Sequence, residues 1–440
     1  MNRKVLVAAV AAALTAPAAF AQSSVTIGGT INILWDTARA SGATNGNVNN
    51  LKSADRVRDG AGSNIRFSVV EDLGGGTSAF VQVESAVIQN SDTRGNALGG
   101  GNAAVPGNTN ALQQGTAVWG NRNSGVGIRS KTAGRFLIGV WDVHYHETYS
   151  IDPGWIPGNS AQSILGLMNT FGAATGTQGA IAIGARYSNV IRWDSPVWGG
   201  FSISAAYARP TDGAPVNAPG SIQDGKKNRA WNFAPRYENG GLSVQYSYLN
   251  DKDINTGGPI TLWAVPVANV NNLMNITSNR LGARYKFAMG IGIGAMWDSS
   301  KANVNSETAG FVGLAGSSIK RTVWAIPLTY DTGNHHLQAT WARANNWRGS
   351  IGGVDVGNVQ IAPVNVAPAT FTVGSETGAR MWSFGYQYNL SQRTNVSVSY
   401  ATIRNKALAR YDFFANSTGL ATGSYGADPR TFGLGLRHTF

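Results

Sequence analysis

The sequence predicts an all-β protein, a transmembrane antiparallel β-barrel of 16 strands, and three observations support that fold class. Apolar and polar residues alternate with a period of two over long stretches. Charged residues make up only 13% of the 440 residues, and no internal run approaches the roughly 18 apolar residues of a membrane helix. Long and short connections also alternate along the chain. These features exclude a helical membrane protein and disfavour an ordinary cytosolic enzyme.

The N-terminal residues 1–21 have the pattern of a secretory signal peptide. Two basic residues, Arg3 and Lys4, precede a short apolar stretch, and Ala19-Phe20-Ala21 has the small residues of a cleavage site. The stretch is too short to span a membrane, and the alternation typical of a strand follows at once. We therefore expect cleavage near Ala21 and a mature barrel formed by residues 22–440.

The predicted strands carry apolar residues on one face and polar residues on the other. The alternation is clearest in residues 243–248, 280–287, 323–330, 382–388 and 396–400. The apolar face often begins or ends in Trp, Tyr or Phe, as expected for aromatic girdles at two membrane interfaces. The opposite face carries Ser, Gln, Gly and Arg, which do not form a dry core. The pattern therefore favours a water-filled barrel over a soluble sandwich, which alternates in the same way.

Eight long connections rich in Gly, Asn, Ala and Thr separate the predicted hairpins. They lie roughly at residues 37–62, 89–121, 142–184, 209–228, 250–277, 299–319, 345–379 and 404–429. Eight hairpins give 16 strands, and pairing of the first strand with the last leaves no open edge in lipid. An even count places both chain ends beside the short periplasmic turns, with the eight long loops on the extracellular side.

Four segments carry motifs of one family. They are Ser23-Ser24-Val25-Thr26-Ile27, Glu71-Asp72-Leu73-Gly74-Gly75-Gly76, Arg186-Tyr187-Ser188-Asn189-Val190-Ile191-Arg192-Trp193 and Gly435-Leu436-Arg437-His438-Thr439-Phe440. These segments resemble the general porins of Gram-negative outer membranes, especially the β-proteobacterial branch. The resemblance implies a 16-stranded barrel, usually a homotrimer, whose third loop folds into the lumen as a constriction, here residues 142–184. It also implies surroundings of outer-membrane lipid and lipopolysaccharide, and a role for Phe440 in the signal that the outer-membrane assembly machinery recognises.

The chain departs from the family pattern in two places. The family usually has an Arg just ahead of the Glu-Asp-Leu-Gly turn, where this chain has Asn64, with Arg66 two residues later on the same face. The family often has Gly-Arg-Gln at the start of the third loop, where this chain has Gly139-Val140-Trp141. The usual ladder of arginines is therefore displaced in this protein.

The basic residues fall on the face that we expect to line the lumen. With Phe67 facing lipid, Arg66 points inward, and with Phe136 facing lipid, so does Arg135. A Lys or Arg facing lipid at mid-membrane costs roughly 2–4 kcal/mol, which supports this orientation. The predicted pore-lining basic residues are Arg66, Arg129, Lys131, Arg135, Arg186, Arg192, Arg236 and Arg284. Arg280, Lys286, Arg321 and Arg437 follow the same rule, and Tyr187, Ile191 and Trp193 are expected to face lipid. Such a lining favours anions.

The third loop carries the acidic residues expected to oppose this basic wall. Asp142, Glu147 and Asp152 would then create a field across the constriction. His144 and His146 beside Glu147 resemble a metal motif, but a fourth ligand is missing, so we expect solvated histidines and no metal or cofactor. Because histidine titrates near neutrality, a pH-dependent conductance is a further hypothesis.

The predicted function is passive diffusion of small neutral or anionic hydrophilic solutes with a preference for anions. The absence of cysteine and of a nucleophile-elbow motif disfavours an enzyme. The basic residues form no exposed patch, which disfavours nucleic-acid binding. Two alternatives remain: a channel specific for sugars or organic anions, and an adhesive or structural barrel. The first alternative would use tryptophans along the path of the solute, namely Trp119, Trp141, Trp155, Trp263 and Trp347.

Overall fold

The structure is a computed structural model. It describes residues 24–44, 54–60, 62–87, 119–144, 147, 151–155, 160–171, 181–183, 186–209, 229–254, 260–262, 265–267, 274–304, 316–351, 353–356, 362–366, 369–373, 375–414 and 425–440. The predicted signal peptide, its cleavage site and His146 lie outside these residues. No helix in the described ranges is long and apolar enough to cross a membrane.

Sixteen strands of the described chain form one closed antiparallel barrel. The first eight are β1 (Ser24–Ser41), β2 (Asn64–Gly74), β3 (Thr77–Ala86), β4 (Ser124–Ser130), β5 (Gly134–Asp142), β6 (Arg186–Asp194), β7 (Phe201–Ala208) and β8 (Arg229–Asn239). The others are β9 (Leu242–Ile254), β10 (Met274–Lys286), β11 (Ile291–Val304), β12 (Ser318–Thr332), β13 (His335–Ala344), β14 (Ala379–Asn389), β15 (Thr394–Asn405) and β16 (Asp428–Thr439). Neighbouring strands pair in sequence, and β1 closes the barrel on β16, with Thr30 opposite Thr439 and Ser41 opposite Asp428. The predicted fold is confirmed.

Short elements occupy the described parts of the long connections. Strand Ala54–Asp59 pairs with the end of β1, Arg348–Ile351 pairs with β12 and with Val354–Asp355, and Thr170–Phe171 pairs with Ile181–Ala182. Two separate hairpins join Ile260–Leu262 with Val265–Val267 and Ala362–Val366 with Ala369–Val373. The helical elements are the 3₁₀ turns Pro153–Trp155 and Ser160–Gln162, and α1 (Leu165–Met168).

The first connection is shorter than predicted. Residues 37–62 were expected to form a loop, but β1 continues to Ser41 because its end has partners on both sides. Trp35 lies opposite Val57 of the added strand and opposite Leu434 of β16. The prediction for this boundary is therefore wrong by a few residues.

The two faces of the strands differ in exposure as the alternation predicts. On β12, Trp324, Ile326 and Leu328 are exposed on the outer surface, whereas Val323 and Ala325 are buried inside the barrel. Small inward side chains of this kind also occur on the neighbouring strands. They leave space inside the barrel, next to β11 to β15, for a segment of the third connection.

Candidate functional site

The described residues of the third connection contact the inner face of the barrel. Nδ1 of His144 lies 2.8 Å from Oγ of Ser247 on β9, and Nε2 lies 2.9 Å from Oγ of Ser278 on β10. Burial, reinforced by the Arg280 guanidinium, lowers the pKa of His144 well below its ordinary value. The expectation that His144 is solvated is therefore wrong. Both ring nitrogens are occupied by serine hydroxyls, which leaves neither free for a metal ion.

Two buried arginines hold α1 of the third connection against the wall. Nε of Arg280 lies 3.0 Å from Oδ2 of Asp298, and Nη2 of Arg321 lies 2.8 Å from Oδ1 of the same carboxylate. Arg280 and Arg321 both donate to the carbonyl of Met168, at 3.1 and 2.6 Å, and Arg321 also donates to the carbonyl of Leu167 at 2.6 Å. These carbonyls belong to the last turn of a helix, where backbone acceptors lack helical partners. The two arginines thus share one carboxylate, and their remaining hydrogen bonds anchor the connection.

The apolar stretch of the third connection fills space between two other parts of the chain. Its buried residues pack against inward side chains of β11 to β15 and against the described start of the last long connection. The cluster includes Ile151, Ile164, Leu165, Leu167, Met168, Met296, Val323, Ala342, Met381, Tyr411 and Phe413. Inward glycines make room for it, since a Cβ on Gly282 would lie 2.8 Å from Cδ1 of Ile151. Burial of apolar side chains therefore stabilises the docked position.

The three predicted acidic residues of the third connection have different partners. Asp142 pairs with Arg186 at 2.7 Å, and Glu147 pairs with Arg192 at 2.6 Å. Asp152 accepts hydrogen bonds from Oγ of Ser163 at 2.6 Å and from the backbone of the 3₁₀ turn. Its burial raises the pKa of Asp152 to about 6. Asp142 and Glu147 thus contact arginines of β6, whereas Asp152 stabilises the fold of the connection itself.

The predicted basic residues divide into a paired and an unpaired set. Arg135 and Arg192 both contact Asp194, at 2.5 and 2.8 Å, so their charges are largely compensated. Within the described part of the chain, four inward arginines have no carboxylate within salt-bridge distance, namely Arg66, Arg129, Arg236 and Arg284. Arg66 is exposed and lies opposite Gly28. The Arg129 guanidinium lies 4.3 Å from the centre of the Phe80 ring, and Arg236 lies 3.4 Å from the carbonyl oxygen of Glu147.

Strand alternation does not hold at two of the predicted positions, for identifiable reasons. Lys131 lies in the exposed turn of residues 131–133 between β4 and β5, so strand alternation does not apply to it. Tyr187 was expected to face lipid, but it is buried and donates a 2.6 Å hydrogen bond to Asp251, which also lies inside. Asn189, at φ +52°, shifts the alternation of β6 between Ile191 and Tyr187. The argument that placed Arg186 in the lumen therefore does not hold.

The tryptophans considered for a sugar path are mostly not exposed where the structure describes them. Trp141 is only 7% exposed, and the Arg135 guanidinium lies 5.1 Å from its ring centre. Trp347 is buried against Phe171, with ring centres 5.7 Å apart. Trp263 and the side chain of Trp155 lie outside the described residues, and Trp119 is exposed beside Phe67. Trp141 and Trp347 therefore offer little ring surface to a solute.

Comparisons with known proteins decide the family of this barrel. A model of the Gram-negative porins matches residues 8–408. The chain belongs to the Gram-negative porin family. This porin is 25% identical to the major outer membrane protein P.IB of Neisseria meningitidis over 440 residues, which cover 100% of both chains. It is 26% identical to an outer membrane porin protein of Bordetella pertussis over 463 aligned residues, again covering 100% of both.

A solved structure with the same fold is the anion-selective porin from Comamonas acidovorans. It superposes with a TM-score of 0.57 at 18% identity, covering 95% of this chain and 100% of that one. The family model and the outer-membrane relatives confirm the predicted family and the predicted location in the Gram-negative outer membrane. The porin crosses that membrane with the sixteen strands described above.

Proposed function

We propose that this porin is a general diffusion channel for small hydrophilic solutes, neutral or anionic, and that it prefers anions. The observation that carries the preference is the set of inward arginines without a carboxylate partner among the described residues, Arg66, Arg129, Arg236 and Arg284. They lie on β2, β4, β8 and β10. Fixed positive charge on a low-dielectric wall raises the local concentration of anions.

The third connection, residues 142–184, acts in this proposal as the constriction. Its anchors on Arg280 and Arg321 and its packing against β11 to β15 support the assignment. Docked there, the segment narrows the water path. The size limit then comes from the connection, and the charge preference comes from the four inward arginines without a carboxylate partner. Transport is passive, as expected of a family of channels, and involves no reaction or cofactor.

Properties named for relatives extend the proposal. One structural neighbour is named as anion-selective, which agrees with the charge of this lumen. We propose a homotrimer, by analogy with the family, surrounded by outer-membrane lipid and lipopolysaccharide. We also propose that Phe440 belongs to the assembly signal; its backbone N–H donates to the carbonyl of Gly29 at 3.1 Å while its side chain is 43% exposed.

Swelling of liposomes that contain the purified porin tests general diffusion against the two alternatives. Uncharged sugars of increasing size should enter at rates that fall smoothly with size and never saturate. A rate that saturates for one sugar or organic anion would favour the substrate-specific channel instead. Liposomes that fail to swell in any solute would favour an adhesive or structural barrel.

A further inference from the structure

Arg129 lies near the short-turn end of the barrel with an aromatic ring against its guanidinium group. It is the last residue but one of β4, which ends at Ser130 beside the exposed turn of residues 131–133. Its Cζ atom lies 4.3 Å from the centre of the Phe80 ring on β3. A cation over the face of an aromatic ring is attracted by that electron-rich face. Phe80 therefore contacts a cation that, within the described residues, has no carboxylate at salt-bridge distance.

Phe80 faces the inside of the barrel, where a glycine makes room for its ring. It lies opposite Gly127 of β4, and its side chain is only 3% exposed. A Cβ on Gly127 would lie 2.7 Å from Cε1 and 2.8 Å from Cζ of the ring. Gly127 and Arg129 are two residues apart on β4, so they share the inward face. The ring thus lies over Gly127 and under the arginine, covered from water.

The contact with Phe80 sets the direction of the Arg129 side chain. Arg129 lies opposite Ser78, whereas Phe80 lies two residues farther from the turn of residues 75–76. The guanidinium group over Phe80 therefore points away from the nearest turns and into the barrel. Two residues of a strand span about 7 Å, and salt screens a charge in open water over about 8 Å. Because a low-dielectric wall concentrates the field, a charge held over Phe80 acts more strongly on a solute than one at the mouth.

Arg135 provides a comparison within the same wall. It lies on β5 directly opposite Arg129, and its Cζ atom lies 5.1 Å from the centre of the Trp141 ring. Its Nη2 also pairs with Asp194 at 2.5 Å. Both arginines thus have an aromatic neighbour, but only Arg135 has an acid. A carboxylate compensates the charge of the arginine that it binds, whereas an aromatic ring holds the cation and leaves its net charge unchanged. Arg129 therefore keeps a full positive charge.

Two effects oppose the held position of Arg129. Like charges directly opposite each other in a sheet repel, and Arg135 is such a neighbour. The long arginine side chain also gains conformational freedom when it extends into water. Both effects favour an Arg129 that points out of the mouth, and the attraction of the Phe80 ring acts against both.

We infer that Phe80 is a positioning residue for the charge selectivity of the channel. Its ring holds the Arg129 guanidinium group inside the lumen without compensating the charge. The inference rests on the proposed anion preference, and it adds to that proposal a residue that carries no charge itself. A rule that looks only for charged residues in the lumen does not identify Phe80.

The test measures charge selectivity in single channels at low salt. The zero-current potential is recorded under a gradient from about 0.01 to 0.1 M KCl, where the Debye length is about 30 to 10 Å. The contact changes the population of the held position by about two- to fivefold. The chloride-to-potassium permeability ratio should therefore fall in Phe80→Leu by at least about half as much as in Arg129→Gln. Phe80→Tyr, which keeps the ring, should have the wild-type ratio.

A double variant and a packing control separate positioning from a structural role. Phe80→Leu should have no effect in the Arg129→Gln background, because the ring then has no guanidinium group to position. Leu137 lies opposite Gly127 on the other side and is 1% exposed. Leu137→Ala removes as many side-chain carbon atoms as Phe80→Leu but no aromatic face, so its ratio should equal that of the wild type. An unchanged conductance in 1 M KCl shows that each variant is folded.

Nuclear magnetic resonance of ¹⁵N-labelled porin in detergent micelles measures the position of the guanidinium group without reference to selectivity. The Nε–H signal of Arg129, identified by its loss in Arg129→Gln, should carry a ring-current shift from Phe80. This shift should disappear in Phe80→Leu and persist in Phe80→Tyr. A signal at the same place in wild type and Phe80→Leu would overturn the inference.

Three selectivity results would also overturn it. They are a wild-type ratio in Phe80→Leu, a further fall when Phe80→Leu is added to Arg129→Gln, and a fall in Leu137→Ala as large as in Phe80→Leu. A wild-type channel that prefers cations would contradict the proposed function instead. The ring-current shift would then still decide whether Phe80 positions Arg129.

Discussion

Nη2 of Arg321 lies 2.8 Å from Oδ1 of Asp298, and neither side chain is exposed to solvent. Arg280 contacts the other oxygen of the same carboxylate at 3.0 Å. Both arginines also donate to carbonyls at the end of α1. Their charges are therefore used to hold the third connection and are not available to a passing anion. This separates them from Arg66 and the other unpaired arginines of the lumen.

Asp298→Asn is predicted to loosen the third connection. It leaves two buried guanidinium groups with one carboxylate fewer, and removing one partner of a buried charge pair costs about 3–5 kcal/mol. The free energy of unfolding in urea, followed for detergent-purified porin, should fall by about that amount. Single channels should also show more frequent current fluctuations.

Glu376→Gln is the matched control for this experiment. Glu376 pairs with Lys406 at 3.1 Å, and both side chains are more than 40% exposed. Because exposed ion pairs contribute little to stability, the free energy of unfolding of the control should fall by less than about 1 kcal/mol. Its single-channel current should fluctuate no more than that of the wild type. Equal decreases in the free energy of unfolding of Asp298→Asn and Glu376→Gln would contradict the anchoring role of Asp298.

Protection of the third connection from hydrogen exchange is predicted to depend on pH through His144. Its pKa is lowered in the docked state by burial and by Arg280. The stabilisation from neutral His144 is therefore complete above its ordinary pKa of about 6.5 and is lost as pH falls below it, because the undocked side chain takes up a proton. Asp152 acts in the opposite direction. With a pKa raised to about 6, it favours docking at low pH, and this contribution is lost as pH rises through 6.

Two variants separate these opposing effects. In Asp152→Asn, of these two groups only His144 titrates, so hydrogen exchange in the third connection should become faster as the pH is lowered from 7.5 to 5, after correction for the intrinsic rate. In His144→Gln, of these two groups only Asp152 titrates, so hydrogen exchange should become slower as the pH is lowered from 7.5 to 5. His335→Gln, on an exposed histidine, should behave as the wild type. The same pH response in both of the first two variants would show that neither residue controls docking.

Gly154 and Gly282 are predicted to tolerate a methyl group differently. A Cβ on Gly154 would lie within 2.5 Å of the backbone nitrogen of Ser163, so the backbone of the connection must move. A Cβ on Gly282 would first meet the end of the Ile151 side chain at 2.8 Å, which can rotate away. Gly154→Ala should cost roughly 1–3 kcal/mol in urea unfolding, the usual range for overpacking, and Gly282→Ala clearly less. The reverse order would contradict the docked arrangement.

The barrel itself was predictable because each strand repeats the same physical rule. Residues such as Trp324 and Val323 have opposite environments, and this difference is visible in the sequence as a period of two. The partners within the lumen were not predictable. Glu147 meets Arg192, and His144 meets Ser247 and Ser278, only because a long connection folds back onto distant strands. No local pattern encodes that arrangement.

Two kinds of residue were misjudged for local reasons. Tyr187 is inward because Asn189 has a left-handed backbone, a single-residue change that interrupts the alternation of β6. The outward direction of Arg343 and Arg380 was not identified, although each is two residues from a tryptophan and therefore shares its outward face. The rule that cations point inward applies at mid-membrane and weakens toward the interface, so it does not cover these two residues.

The zero-current potential of single channels in a planar bilayer under a KCl gradient tests the central claim most directly. The account predicts a chloride preference that shrinks strongly in R66Q/R236Q/R284Q and is unchanged in R343Q/R380Q/R404Q, whose arginines lie outside the lumen. Cation preference in the wild type, or the same potential in the wild type and the lumen variant, would contradict a selectivity set by the unpaired inward arginines.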